Sequence, residues 1–514
     1  MMTFRQQTKK NFSAEGDKEE SSDRQKESTL KEKAAKGFLW GGVSNGIMQV
    51  MNALFGIIIA RCITQEDYGL IGELTIFSAI ASALQEGGFI SALTNRKNAT
   101  YQDFNSVFWF NVTCSAVIYV ILWFCAPLLV HFFNEPRLLW LSRYAFLGFF
   151  IASLSITPRA ILFKKLMAKE QAFMSLAAML SSGTIGVIMA VNGMAYWGVA
   201  TQSIIYVSGV AALSWWFSRW KPSRDVSLKP IKEMFGFGSK MLITNIFNCI
   251  NNHIFSFIFG RFYTAMEVGT YTQANKWNLM GSQTITGMVQ SVAQPTFVQV
   301  GNDREALCRS FRKMLRFTSF VCFPTMFGIL LIAPEFIVIT ITERWLPSAK
   351  MMQELCVAGA FMPITVLYYN FIISRGKSHI YMWNIMAQCV IVLLTACTIK
   401  IFSLSLWGIS GIHLMVTAYI AICIIWVGIW HYFLWREIRL SFFSAIKDIA
   451  PFFSIAAITM VTTYFLTESI SNIYLLLITR ILTAAVLYLA ILRLTGAKIL
   501  KECLYYLKKK KGNK

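Results

Sequence analysis

Apolar runs of about 20 residues, parted by short polar stretches, fill the chain from Gly37 onward. A hydrocarbon core of ~30 Å needs about 20 helical residues, so each run is long enough to cross a membrane. We count about fourteen such runs. They begin near Gly37, Leu70, Asn105, Leu138, Ala172, Tyr196, Phe235, Tyr271, Leu315, Leu355, Ile380, Trp407, Ile449 and Ile473. None alternates with the period of two that a barrel strand shows. In lipid, backbone polar groups must pair within the segment, so the runs are helices. The predicted class is an all-α integral membrane protein with about 14 transmembrane helices.

The pattern also repeats. Arg61-x-x-Thr64-x-x-Asp67-x-Gly69 closes the first run and opens the second, and Arg261-x-x-Thr264-x-x-Glu267-x-Gly269 does the same at the seventh and eighth. Asn45 and Asn52 match Asn245 and Asn252. Ala126-Pro127 recurs as Ala333-Pro334, and Trp197-Gly198 as Trp407-Gly408, always in order. The repeat predicts two parallel six-helix lobes, at 37–220 and 235–435, joined by the polar segment 221–234. Helices 13 and 14, within 436–494, have no counterpart. The ends are a Lys/Glu/Ser-rich tail over 1–36, read as disordered, and a basic tail over 495–514. Two lobes in a membrane usually enclose a substrate path, so the repeat points to transport.

Composition agrees with lipid as the main solvent. Charged residues make up only 14% of the 514 and hydrophobic ones 55%, where a soluble chain carries about 25% charged. The net charge of +22 does not point to nucleic acid, because its placement has another cause. With the N-terminus in the cytoplasm, the basic stretches Arg159 to Lys169, Arg219 to Lys232, Arg304 to Arg316 and Lys508 to Lys511 all fall on that side. This is the positive-inside asymmetry; it places both termini in the cytoplasm and basic loops against anionic headgroups. The 11 cysteines form no CxxC or Cys/His cluster, so no disulfide framework or zinc site is indicated.

Polar side chains inside spans are costly and usually face the protein interior or a wet cavity. They concentrate in helices 1, 2, 7 and 8. Asn45, Gln49 and Asn52 share one face of helix 1; Asn245 and Asn252 repeat that face in helix 7. Helix 8 adds Asn275, Lys276, Gln290 and Gln294. Each alone reads as interhelical glue, whereas the set, placed equivalently in both lobes, reads as the lining of a central cavity. Lys276 either faces an anionic substrate or pairs with a carboxylate such as Glu73. Arg480 in helix 14 either meets a phosphate or bonds a neighbouring helix. Arg61 with Asp67, and Arg261 with Glu267, read as ion pairs in the external loops. The aspartates lie in tails, loops or helix ends; there is no DxD, Ser/His/Asp set or phosphate-cradling glycine loop, so no enzyme and no cofactor is expected. A coupling ion, Na+ or H+, stays open, with Glu73 and Glu86 as the carboxylates inside helix 2.

Several segments together resemble a known family. They are Gly37-Phe38-Leu39-Trp40, Ala60-Arg61 through Glu66-Asp67-Tyr68-Gly69-Leu70, Gly88-Phe89, and Val107-Phe108-Trp109-Phe110-Asn111. Further on come Phe237-Gly238-Ser239-Lys240, Gly269-Thr270-Tyr271 and Trp345-Leu346-Pro347. Their order and spacing resemble the lipopolysaccharide and capsule oligosaccharide flippases, the polysaccharide-transporter branch of the multidrug/oligosaccharidyl-lipid/polysaccharide exporter superfamily. The resemblance implies a bacterial inner-membrane protein that moves undecaprenyl-diphosphate-linked oligosaccharides by rocking of its lobes. It would work with membrane lipids and a polysaccharide polymerase. Multidrug relatives commonly carry a carboxylate in helix 1 or 7, and neither helix has one here. A multidrug or small-solute antiporter and a lipid II flippase are the alternatives. The particular glycan is not legible.

Overall fold

The computed structural model describes residues 46–86, 100–165, 167–223, 253–301, 303–403 and 409–496, with 44, 93, 226–227, 231–232, 246–247, 249–251, 405–406 and 499. The first half holds α1 (Gly46–Cys62), α2 (Gln65–Glu86), α3 (Tyr101–Phe133), α4 (Leu138–Lys164), α5 (Ala168–Val191) and α6 (Ala195–Ser218). The second holds α7 over 253–262, α8 (Ala265–Val300), α9 (Arg304–Ile341), α10 (Leu346–Ser374), α11 (Ser378–Ile401) and α12 (Gly411–Ile438). Then come α13 (Phe442–Thr467) and α14 (Ile473–Leu494). The strands among the described residues are one short antiparallel pair, Ser405–Leu406 with Ile409–Ser410. Among the described residues, 9 helices are long and apolar enough to cross a membrane: α3, α4, α5 and α9 to α14. The chain is therefore a multi-pass membrane protein.

Helix packing groups the chain in two. In the first half α3 lies on α4, α4 on α6, α6 on α5, and α2 on α4. In the second, α10 is central, packed on α8, α9 and α12, while α13 and α14 flank α9. An extensive helix–helix contact between the groups is α2 against α8; Ile59 and Ala60 of α1, with Ile63 just after it, also enter the second group's core. The largest core follows the second group, with Phe297, Phe311, Phe323, Trp345, Tyr368 and Phe371 fully buried. Buried charges there are paired: Arg312 grips Asp448 by Nε (2.6 Å) and Nη2 (3.0 Å), tying α9 to α13.

Prolines inside the helices would leave carbonyls bare in lipid, since proline lacks the N–H that its fourth preceding carbonyl needs. Four of these carbonyls receive a donor from another helix. The Trp123 carbonyl, freed by Pro127, accepts from Arg143 Nε at 3.4 Å; the Leu154 carbonyl, freed by Pro158, accepts from the Trp215 indole at 2.9 Å. The Phe320 carbonyl, freed by Pro324, accepts from the Tyr488 hydroxyl at 3.0 Å, and the Leu330 carbonyl, freed by Pro334, from Gln353 Nε2 at 3.2 Å. Helix breaks and side-chain donors thus match, and they fix which helices neighbour each other.

Candidate substrate cavity

The twice-used motif builds the corners α1–α2 and α7–α8. Thr64 and Thr264 stand just before α2 and α8. The Thr64 hydroxyl accepts the Asp67 N–H at 3.1 Å, and the Thr264 hydroxyl accepts the Glu267 N–H at 3.3 Å. The Glu267 carboxylate returns to the Thr264 N–H at 2.9 Å, completing a capping box. The glycine of each motif then lets the two helices cross at their first turns. A Cβ on Gly69 would strike the Ala265 carbonyl oxygen, and one on Gly269 would strike that of Gln65. The contact is reciprocal, as a two-fold relation between the halves requires.

The motif arginines complete the closure, and they correct the expected ion pairs. Arg61 donates from Nε to the Thr340 carbonyl (2.6 Å) and from Nη2 to that of Ile339 (2.8 Å), at the end of α9. Arg261 donates from Nη1 to the Phe132 carbonyl (2.7 Å) at the end of α3. Phe132 follows Pro127 at the interval by which Ile339 follows Pro334, so this contact is also reciprocal. The last-turn carbonyls carry the negative end of a helix dipole and lack helical donors, and so they attract arginine. Asp67 instead meets Arg137 at 3.2 Å, and Glu267 is taken by its cap. Arg137 also grips Glu135 at 2.8 Å, which holds that carboxyl below its ordinary range. The Trp345 indole donates to the Ala60 carbonyl at 2.9 Å, and its ring meets Tyr68 edge-on at 5.7 Å.

Below this closure lies a cavity of about 420 Å³, lined by α1, α2, α5, α6 and α8. Asn52, Ser182, Gln202, Ser203, Tyr206 and Tyr68 supply its polar groups, and Lys276 is its sole charged lining residue among the described ones. Three of its helices, α2, α6 and α8, fall outside the strongly apolar set. Gly56 gives Lys276 its berth: a Cβ there would collide with the ammonium. Phe55 lies against Gly183, which draws α1 onto α5. Lys276 forms no ion pair with Glu73 or any other carboxylate among the described residues. At 1.5 Å per residue it lies roughly 17 Å from the start of α8, midway through a ~30 Å core.

The expected lining residues divide. Asn52 and Lys276 meet at the cavity. Asn45, Asn245 and Asn252 lie outside the described residues. Gln49 and Asn275 are partly buried on α1 and α8 and do not line the cavity. Gln290 and Gln294 are exposed in the far part of α8, roughly 38 Å and 44 Å along it, beyond the depth of a ~30 Å core. Arg480 is taken elsewhere: it is buried, pairs with Glu335 at 2.6 Å and reaches the Leu331 carbonyl at 3.2 Å, bracing α14 on α9. Sequence reasoning missed α5 and α6. The Gln202/Tyr206 spacing of one helical turn was the available signal.

A bundle of crossing helices about a polar mid-membrane cavity, closed at one end by reciprocal contacts, defines a membrane exporter fold. The inward closed conformation of the lipid II flippase MurJ superposes with a TM-score of 0.72, covering 90% of this chain and 100% of that one at 15% identity. Residues 58–350 match the family described as polysaccharide biosynthesis protein, and the chain belongs to that family. It is 24% identical over 338 residues to the lipopolysaccharide biosynthesis protein WzxC of Escherichia coli (strain K12), 64% of this chain and 68% of that one. It is 22% identical over 356 residues to the teichuronic acid biosynthesis protein TuaB of Bacillus subtilis (strain 168), 68% of this chain and 73% of that one.

Proposed function

We propose that the chain is a flippase that carries undecaprenyl-diphosphate-linked oligosaccharide units across the bacterial inner membrane. They would serve O-antigen, capsule or exopolysaccharide synthesis. The observation that carries the reading is the cavity itself: an ammonium at mid-membrane with no carboxylate partner among the described residues, set among amides and hydroxyls. Lys276 compensates the diphosphate, which would otherwise stand uncompensated in the core at a cost of several kcal/mol. Asn52, Gln202 and Ser203 offer hydrogen bonds to sugar hydroxyls, while the lipid chain stays among the membrane lipids. The two lobes, 37–220 and 235–435, rock about the α2–α8 crossing, so that the cavity opens to each face in turn. Both termini lie in the cytoplasm, and the far side hands the unit to a polymerase.

Family membership favours this over peptidoglycan precursor transport, and the lack of a carboxylate in the sequence of helix 1 and of helix 7 speaks against an antiporter for cationic drugs. In a cell whose own gene is deleted, the wild-type protein should restore the surface polymer, and Lys276→Ala at equal protein level should restore much less. Lys276→Arg should recover part, since a guanidinium keeps the charge but spreads it over a planar fork. Full restoration by a well-expressed Lys276→Ala protein would remove the residue from the mechanism. Lethality of the deletion would point to peptidoglycan instead.

A further inference from the structure

Arg143 carries a charge that no carboxylate neutralises among the described residues. Its Nε caps the carbonyl freed by Pro127, yet at the equivalent place in the second half an uncharged amide, Gln353, caps the carbonyl freed by Pro334. Capping therefore needs a donor and no charge. The guanidinium carbon lies 4.6 Å from the Trp123 ring and 5.1 Å from that of Trp140, in the corner of two indoles that meet edge-on. No carboxylate lies within ion-pair distance of it among the described residues. A cation lying over indole faces is oriented by their quadrupoles and can still meet an anion on its open side.

Its surroundings face lipid. Trp140 is 61% exposed and Phe124 75% exposed on this side of α3 and α4. A groove of about 300 Å³, lined by Tyr119, Val120, Trp123 and Phe124, runs beside the arginine with almost wholly apolar walls. Arg143 lies five residues into α4, roughly 7.5 Å from its start, where headgroups give way to acyl chains and tryptophans collect. None of these residues borders the Lys276 cavity, so cargo inside the bundle does not reach them.

We propose that Arg143, Trp123 and Trp140 form a binding site for the phosphate of an anionic phospholipid, with one acyl chain in the adjoining groove. The phosphate accepts from the guanidinium's outer N–H groups, and the apolar groove gives the chain a fixed place. The site rests on the membrane reading alone and not on the identity of the cargo.

The test is phosphatidylglycerol binding to the purified protein in detergent, followed by native mass spectrometry and by lipid-induced thermal shift. Arg143→Gln, which copies the second half, should bind phosphatidylglycerol about fivefold more weakly, with the lipid-induced shift read against each variant's own lipid-free melting point. Arg143→Lys keeps the charge and should bind more tightly than Arg143→Gln. Phosphatidylcholine should bind the wild type more weakly than phosphatidylglycerol, and inorganic phosphate should not compete. Equal phosphatidylglycerol affinity in Arg143→Gln and wild type would overturn the site. So would equal loss in the Gln and Lys variants, which would make the arginine's shape, and not its charge, the cause. Competition by a lipid-linked oligosaccharide would reassign the site to cargo and overturn the phospholipid assignment.

Discussion

Lys276 owes its position to a missing side chain on another helix. Gly56 leaves room for the ammonium against α1, and a methyl there would touch only the far end of a flexible lysine. Gly56→Ala should therefore leave protein level and melting nearly unchanged, yet displace the charge and lower glycan export. Equal export would show that the berth is irrelevant. The lysine was legible in the sequence, because an ammonium deep within the most polar helix invites explanation. Arg480 looked equivalent and is not, since Glu335 on α9 neutralises it across a long stretch of sequence. Gln202, Ser203 and Tyr206 escaped notice because two or three hydroxyls and amides in an apolar helix are ordinary. Only packing against α1 gives them a common cavity.

Elements are joined by devices that the sequence shows only in part. The repeated motif read as the end of one helix and the start of the next; that its Thr caps the second helix in both copies is shown by the structure. The repeated Gly did not reveal its partner, because a crossing between halves is a tertiary fact. Gly69→Ala and Gly269→Ala should act alike, since each methyl meets a backbone carbonyl that cannot step aside. Each should loosen the closure and raise labelling of a cysteine at buried Tyr68 by a membrane-impermeant maleimide. A large effect from one and none from the other would contradict the reciprocal geometry. The proline-freed carbonyls give a second test. Tyr488→Phe keeps the ring beside Phe320 but removes the donor to its carbonyl, and should cost about 1–2 kcal/mol of stability, read as a lowered unfolding midpoint. An unchanged midpoint would mean that the carbonyl finds another donor.

At the scale of the whole molecule, the proposed orientation rests on the distribution of basic residues, and the α2–α8 crossing joins the two halves. A cysteine at exposed Lys221 should resist impermeant reagent in intact cells, while one at exposed Asn192 should react. The reverse would invert the topology. The division into apolar spans was readable because lipid enforces it residue by residue. The closure was not, since it depends on arginines reaching carbonyls in the opposite half, which no local pattern encodes. The central claim is that this cavity moves a lipid-linked glycan across a bilayer, and reconstitution measures that directly. Proteoliposomes holding a labelled undecaprenyl-diphosphate oligosaccharide should expose it to an added glycan-cleaving enzyme faster than protein-free vesicles, and those with Lys276→Ala should fall well below the wild type. Rates equal to protein-free vesicles, from folded protein, would contradict the account.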